Sequence, residues 1–148
     1  MSRFDERKED YKNALARLKE ALEEEPSEIV IDGILHRFEF TFELAWKTIK
    51  DYMEYMGIVN KIGSPRENIQ LAYKQGIIED GEIWIDIMLS RNALSHLYNE
   101  RESRKMYNEI KDIDVLIAHC LYFENKSRIL RISPIWLLSI KLLILHIS

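Results

Sequence analysis

Hydrophobic residues recur at steps of three and four along the first third of the chain, a spacing that predicts two amphipathic helices. In residues 3–25 the apolar stripe consists of Phe4, Tyr11, Leu15, Leu18 and Leu22. Pro26 and Ser27 end this helix and begin a second one, from about Glu28 to Met56. The stripe of the second helix consists of Ile31, Leu35, Phe38, Phe42, Ala45, Ile49, Met53 and Met56. Such an unbroken stripe predicts the spine of a helical bundle, with Trp46 beside it as a core or interface aromatic.

Capping signals predict where the next helix begins and ends. Ser64 is suited to the N-cap, Pro65 to the first helical position, and Glu67 completes a capping box three residues after the serine. Gly76 closes this short helix, as Gly57 is expected to close the one before it.

A fourth helix is predicted after Asp80, which is suited to cap its N-terminus. The residues expected to face inward are Ile83, Ile87 and Leu94, with Trp84 nearby. Asn99 followed by Glu102 resembles a further capping pair and predicts a helix from about Glu100 to Phe123. The segment around His96 and Tyr98 is therefore expected to join two helices.

Length and composition favour one mostly helical domain in a reducing compartment. A chain of 148 residues is long enough to bury a core without disulfides or metals, and it contains only 5 Gly and 3 Pro. The single cysteine, Cys120, excludes an intrachain disulfide and is best interpreted as a small core residue. The charged N-terminus has no apolar secretion signal, so we expect a cytoplasmic protein.

The charge distribution argues against general binding to nucleic acid. The net charge is −4, but all 25 acidic residues lie at or before Glu124, where 17 basic residues leave an excess of eight negative charges. Such an acidic body disfavours tight nonspecific binding to phosphates. Any RNA contact would require a local basic pocket, which assembly can bring together.

The last 24 residues differ from the rest, so we divide the chain into a bundle at 1–124 and an atypical apolar tail at 125–148. The tail has four basic and no acidic residues, and ten of the last fourteen are apolar. One interpretation is a terminal helix packed against the bundle or a partner; another is an altered reading frame at the end of the gene. Association with a membrane is less favoured, because the apolar run is too short for a hydrocarbon core of about 30 Å.

The stretch "SRNALSHLYNE" (90–100) holds the candidate chemistry. His96 can act as a general acid or base near neutral pH, and Arg91 can bind a phosphate through paired hydrogen bonds. Asn92 lies four residues before His96, and Tyr98 lies seven after Arg91, on the same helical stripe. Arg91 and His96 would nevertheless lie about 140° apart on one straight helix, so a shared site requires a break in the helix or a second helix.

The ordinary interpretation of the same residues is structural. Arg91 would pair with an acid such as Glu100 or Asp86, His96 would cap a helix end, and Tyr98 would pack. The other histidines, His36, His119 and His146, have no comparable neighbours and are expected to be structural. The sequence contains no zinc-ligand spacing, glycine-rich phosphate loop or serine-hydrolase elbow. It therefore predicts neither a metal site nor a cofactor.

Four stretches together carry a family resemblance: "FELAWKTIKDYMEYMG" (42–57), "GSPRENIQLAYKQGII" (63–78), "DGEIWIDIMLSRN" (80–92) and "SHLYNE" (95–100). In this order and spacing, the chain resembles HEPN-domain proteins of the nucleotidyltransferase substrate-binding subfamily, from about Arg3 to Phe123. The tail after Glu124 lies outside the resemblance.

The resemblance implies an all-α, up-and-down helical bundle that forms a homodimer, in which the signature residues of both protomers line one cleft. It implies a metal-independent ribonuclease: His96 would activate a ribose 2′-hydroxyl or protonate the leaving oxygen, and Arg91 would steady the phosphate with support from Asn92. It also implies a toxin–antitoxin pairing with a cognate minimal nucleotidyltransferase that transfers AMP to Tyr98. The alternative implied by the subfamily's description is a non-catalytic subunit that presents a substrate to the nucleotidyltransferase.

Overall fold

The computed structural model describes residues 2–58, 63–111 and 146, and within them every regular element is helical. In chain order the helices are α1 (Arg3–Leu22), α2 (Glu28–Tyr55), α3 (Pro65–Lys74), α4 (Gly81–Ala93) and α5 (Glu100–Ile110), and a 3₁₀ turn at Leu94–His96 follows α4. Helix α2 packs against each of α1, α3, α4 and α5. The prediction of an all-α, up-and-down bundle with the second helix as its spine is confirmed.

The helix boundaries follow the capping chemistry. The Ser64 hydroxyl accepts the N–H of Glu67, and the Glu67 carboxylate accepts the N–H of Ser64, so the predicted box is present at the start of α3. Gly57 and Gly76 have φ values of 76° and 73°, in the left-handed region that favours glycine after a helix. Helix α1 ends at Leu22, three residues before the predicted end.

The core is built mainly from the apolar stripes of α1 and α2. It includes Phe4, Tyr11, Leu15 and Leu18 of α1 and Ile31, Leu35, Phe38, Phe42, Ala45, Ile49 and Met53 of α2. Trp46 is buried beside the stripe, as predicted, whereas Met56 is exposed because α2 has already ended at Tyr55. Burial of these apolar surfaces is the main favourable contribution to folding.

The predicted inward face of α4 is only partly correct. The fully buried residues of this helix are Trp84 and Met88, and Ile83 is exposed. Ile87 and Leu94 are only partly buried against the core. The buried face is therefore rotated by one residue, about 100°, from the predicted one. This rotation determines which neighbours Arg91 meets.

One buried charge joins α1 to α2. The Asp51 carboxylate accepts a hydrogen bond from Arg7 Nε at 3.2 Å, and Arg3 Nε lies 3.9 Å from its other oxygen. A buried carboxylate requires such partners because its desolvation is otherwise uncompensated. The pair therefore fixes the position of α1 on α2.

Several predictions fall on residues outside the described ranges. These are the continuation of the last helix to Phe123, the interpretations of His119 and Cys120, and the tail at 125–148 apart from His146. Among the described helices, none combines the length and apolar character needed to cross a membrane.

Candidate functional site

The predicted junction between α4 and α5 is confirmed. Helix α4 ends at Ala93, the 3₁₀ turn covers Leu94–His96, and Leu97 is extended. The Asn99 side chain accepts the N–H of Glu102 at 2.9 Å, and the Glu102 carboxylate accepts the N–H of Tyr98 at 3.0 Å. These two hydrogen bonds hold the connecting backbone against the first turn of α5.

His96 and Tyr98 form an exposed hydrogen-bonded pair. His96 Nδ1 lies 3.3 Å from the Tyr98 hydroxyl, and the two rings meet edge to face at 6.5 Å between centroids. Tyr98 is 80% exposed. Because Nδ1 is engaged, Nε2 is the ring nitrogen left to exchange a proton with a substrate. The prediction that Tyr98 lies on the same helical stripe as Arg91 is wrong, because α4 ends at Ala93, before Tyr98.

Arg91 is anchored to α2, not to the local acids named from the sequence. Its Nη2 lies 3.3 Å from Glu43 Oε2 and 3.9 Å from Glu39 Oε1. Glu100 instead pairs with Arg104 on the next turn of α5. Because Arg91 lies on the same side of α4 as Trp84 and Met88, it faces α2. It therefore pairs with Glu43 of that helix and not with Glu100 or Asp86.

The Arg91 guanidinium has one further neighbour at the site. Its Nη1 donates to Asn92 Oδ1 at 3.4 Å, so Asn92 contacts the guanidinium. Arg91 Nε is buried and has no hydrogen-bond partner within the described part of the chain. The candidate residues thus form two contacting pairs, Arg91 with Asn92 and His96 with Tyr98.

The sequence interpretation missed Glu43, which connects Arg91 to the core helix. Its Oε2 accepts the Trp46 indole N–H at 3.1 Å, and its Oε1 lies 3.2 Å from Lys47 Nζ. Partial burial raises the pKa of Glu43, but the hydrogen bonds from Trp46 and Lys47 and the charges of Lys47 and Arg91 outweigh it and lower that pKa. The available signal was the i, i+3 and i, i+4 spacing within "FELAWK".

A small cleft of about 230 Å³ lies next to Glu39, one of the two carboxylates that Arg91 faces. Glu39 and His36 of α2 line it, and Leu94 and Leu97 of the junction form its other side. His36 is exposed there and makes an edge contact with Phe40. In residues 2–58 and 63–111, no three His, Cys, Asp or Glu side chains converge as they would around a metal ion.

Comparisons with known proteins identify the family to which the chain is related. Residues 6–121 match the family model described as "Nucleotidyltransferase substrate binding protein like". A curated relative is the "Probable ribonuclease HepT" of Haemophilus influenzae, which is 29% identical over 86 residues. That match covers 56% of this chain and 59% of the relative, so the chain spans less than two thirds of the relative's length.

A solved relative extends the likeness to the fold. It is a crystal structure of a protein from Thermus thermophilus with 31% sequence identity and a TM-score of 0.67, and the match covers 75% of this chain and 95% of the other. The family match covers most of the chain, including α2, α4 and the α4–α5 junction. The chain therefore belongs to the HEPN-type family of nucleotidyltransferase substrate-binding proteins.

Proposed function

We propose that this chain is a metal-independent HEPN endoribonuclease whose activity a cognate minimal nucleotidyltransferase controls. The observation that carries the proposal is the exposed His96–Tyr98 pair at the end of α4, five residues after the anchored Arg91. An imidazole in solvent with one nitrogen held is suited to proton transfer, and the similarity to a probable ribonuclease indicates the substrate class. The bundle at 1–124 carries the site, and the single cysteine fits a reducing cytoplasm.

The proposed reaction is transesterification within RNA. His96 Nε2 accepts the proton of a ribose 2′-hydroxyl, and the 2′-oxygen attacks the adjacent phosphorus. The bond from phosphorus to the 5′-oxygen breaks, and that oxygen takes a proton from the His96 imidazolium. The products are a 2′,3′-cyclic phosphate and a 5′-hydroxyl. Arg91 binds the non-bridging oxygens, where charge increases as the reaction proceeds, and Asn92 supports the guanidinium.

We propose that the working unit is a homodimer with both copies of the site in one cleft. On α4, Leu89 is 48% exposed and lies three residues before Asn92, on the same face of the helix. Covering this apolar residue with a second copy would bring the two sets of signature residues close together. Sedimentation at micromolar concentration should show a dimer for the wild type, and Leu89→Glu should shift it toward monomer.

We propose that Tyr98 is the residue to which the nucleotidyltransferase transfers AMP. Its exposure leaves the hydroxyl accessible to a second enzyme, and that hydroxyl contacts His96. The Tyr98 oxygen would attack the α-phosphorus of ATP, the bond to the β-phosphate would break, and pyrophosphate would leave. The resulting phosphodiester lacks the hydroxyl hydrogen and carries a negative charge beside the proposed cleft, where RNA phosphates would be repelled. Incubation with the partner and ATP should add the mass of one AMP to the wild type, and none to Tyr98→Phe.

The decisive experiment is RNA cleavage by purified protein in EDTA. The wild type should release cyclic-phosphate ends, and His96→Ala and Arg91→Ala should not. The matched control is Arg17→Ala, which changes an exposed residue of α1 and should cleave like the wild type. Persistent cleavage by both signature variants would refute the proposed site.

A second candidate function is a non-catalytic subunit that binds the nucleotidyltransferase and presents its substrate. The observation favouring it is that Arg91 already faces two carboxylates, Glu39 and Glu43, in a strongly acidic body. This function predicts a stable complex with the nucleotidyltransferase and no RNA cleavage by any preparation. Failure of the two proteins to co-purify would count against it.

A further inference from the structure

We propose that Glu43 is a positioning residue, which aims the Arg91 guanidinium at the scissile phosphate from the neighbouring helix. The inference rests on the proposed ribonuclease function and adds to it a residue 48 positions from Arg91 in the sequence. Glu43 itself would touch no RNA. Its effect on cleavage would pass entirely through Arg91.

The Glu43 carboxylate is held at both oxygens. The indole N–H of the buried Trp46 donates to Oε2, and Lys47 Nζ lies 3.2 Å from Oε1. Both partners lie on α2 itself, at the i+3 and i+4 positions, so the rotamer of Glu43 is set within one rigid helix. A carboxylate fixed in this way is a directional acceptor for a group on another helix.

The contact with Glu43 determines the direction of the guanidinium. Nη2 lies 3.3 Å from Glu43 Oε2, and Nη1 donates to Asn92. A guanidinium has five N–H groups, and Nε carries one of them. Within residues 2–58 and 63–111, the hydrogen bonds described leave one N–H on each terminal nitrogen to meet phosphate oxygens. Without Glu43, the long arginine side chain would lose its closer partner on α2 and keep Glu39, which lies 3.9 Å from Nη2.

The charges around Glu43 leave Arg91 able to attract a phosphate. Glu39 and Glu43 together carry two negative charges, and Lys47 and Arg91 carry two positive charges. Since Lys47 occupies the second oxygen of Glu43, the carboxylate is shared between two cations and does not neutralise Arg91 alone. Glu43 therefore orients the Arg91 guanidinium while removing only part of its attraction for a phosphate.

A double-mutant cycle on RNA cleavage tests the inference. Glu43→Ala should lower kcat/KM by up to about 100-fold, mostly through kcat, because a misplaced catalytic group costs about that much. In an Arg91→Lys background, which keeps the positive charge and loses the planar fork that Glu43 aims, the same change should cause a much smaller loss. Glu43→Gln keeps the volume and one acceptor oxygen and should give an intermediate loss. The matched control is Glu54→Ala, which removes the exposed pair with Lys50 elsewhere on α2 and should leave cleavage unchanged.

The outcomes separate this inference from the proposed function. Equal losses from Glu43→Ala in the wild-type and Arg91→Lys backgrounds would indicate a general structural effect and overturn the positioning role. Unchanged cleavage by folded Glu43→Ala and Glu43→Gln would overturn it as well, with folding checked by circular dichroism. If the wild type cleaves no RNA, the proposed function fails and this inference fails with it. Cleavage that depends on Arg91 but not on Glu43 would overturn this inference alone.

Discussion

Two adjacent residues of α4 provide a direct test of how this helix is seated in the bundle. Trp84 is 2% exposed and Ile83 is 38% exposed. A buried aromatic side chain removes about 150–250 Å² from water, which at about 25 cal/mol per Å² corresponds to roughly 4–6 kcal/mol. Measured losses for such truncations are about 3–5 kcal/mol. We therefore expect Trp84→Ala to lower the free energy of unfolding by about 4 kcal/mol, and Ile83→Ala by about 1 kcal/mol or less.

The assay is urea unfolding followed by far-ultraviolet circular dichroism, with the midpoint and slope fitted for each variant. Each variant is measured at two protein concentrations, since a dimer would make the midpoint concentration-dependent. A loss of about 4 kcal/mol is a large fraction of the roughly 5–15 kcal/mol typical of a domain. Trp84→Leu, a milder truncation, provides the comparison if Trp84→Ala does not fold.

The refuting result is a loss of unfolding free energy for Ile83→Ala that equals or exceeds the loss for Trp84→Ala. If Ile83→Ala destabilises the protein as much as Trp84→Ala, the helix is rotated by about 100° from the orientation described. Such a rotation would also carry Arg91 away from Glu43, because both contacts depend on the same face of α4. The stability of a remote core residue thus tests the geometry of the candidate site.

Three further predictions concern the contacts that hold the bundle together. Arg7→Met should cost about 3 kcal/mol in urea unfolding, because it strips the main partner from the buried Asp51 carboxylate; an unchanged midpoint would contradict this. Ser64→Ala should lower the free energy of unfolding by about 1 kcal/mol through loss of the α3 cap, measured in the same way and contradicted by equal midpoints. The folded-state pKa of Glu43 is lowered, so its stabilising effect is present above its ordinary pKa and is lost as the pH falls through the folded-state value. Glu43→Gln should therefore cost roughly 0.5–1 kcal/mol at pH 7 and nothing in strong acid, and a cost that persists in acid would refute the linkage.

Local capping chemistry made the helix boundaries predictable from the sequence. Ser64 with Glu67, and Asn99 with Glu102, satisfy backbone groups within a few residues, so no tertiary information is needed to recognise them. The second of these pairs predicts a helix junction at His96 and Tyr98 from the sequence alone. That placement is confirmed, and the candidate chemistry depends on it.

The face of α4 was not predictable in the same way. Glu82 and Asp86 mark one polar side of the helix, but Arg91 lies on nearly the opposite side, so the polar residues do not define a single solvent face. Packing against α2 and α3 decides the matter, with Trp84 and Met88 filling the core. Residue spacing favoured Ile83 and Ile87 because several stripes fit an apolar helix almost equally well.

The partner of Arg91 was missed for a related reason. Its contact with Glu43 exists only when α4 lies on α2 in this rotation, and sequence proximity pointed instead to Glu100 and Asp86. In the proposed ribonuclease, the charges of Arg91 and its carboxylate partners would therefore already be balanced before RNA binds, in contrast to those of a basic patch. Attraction for phosphate would then come from the direction of the remaining N–H groups of Arg91, supplied by both protomers of the proposed dimer, because net charge offers little. Under the proposed function, a chain with an acidic body could still bind RNA, because recognition would depend on where the hydrogen-bond donors point.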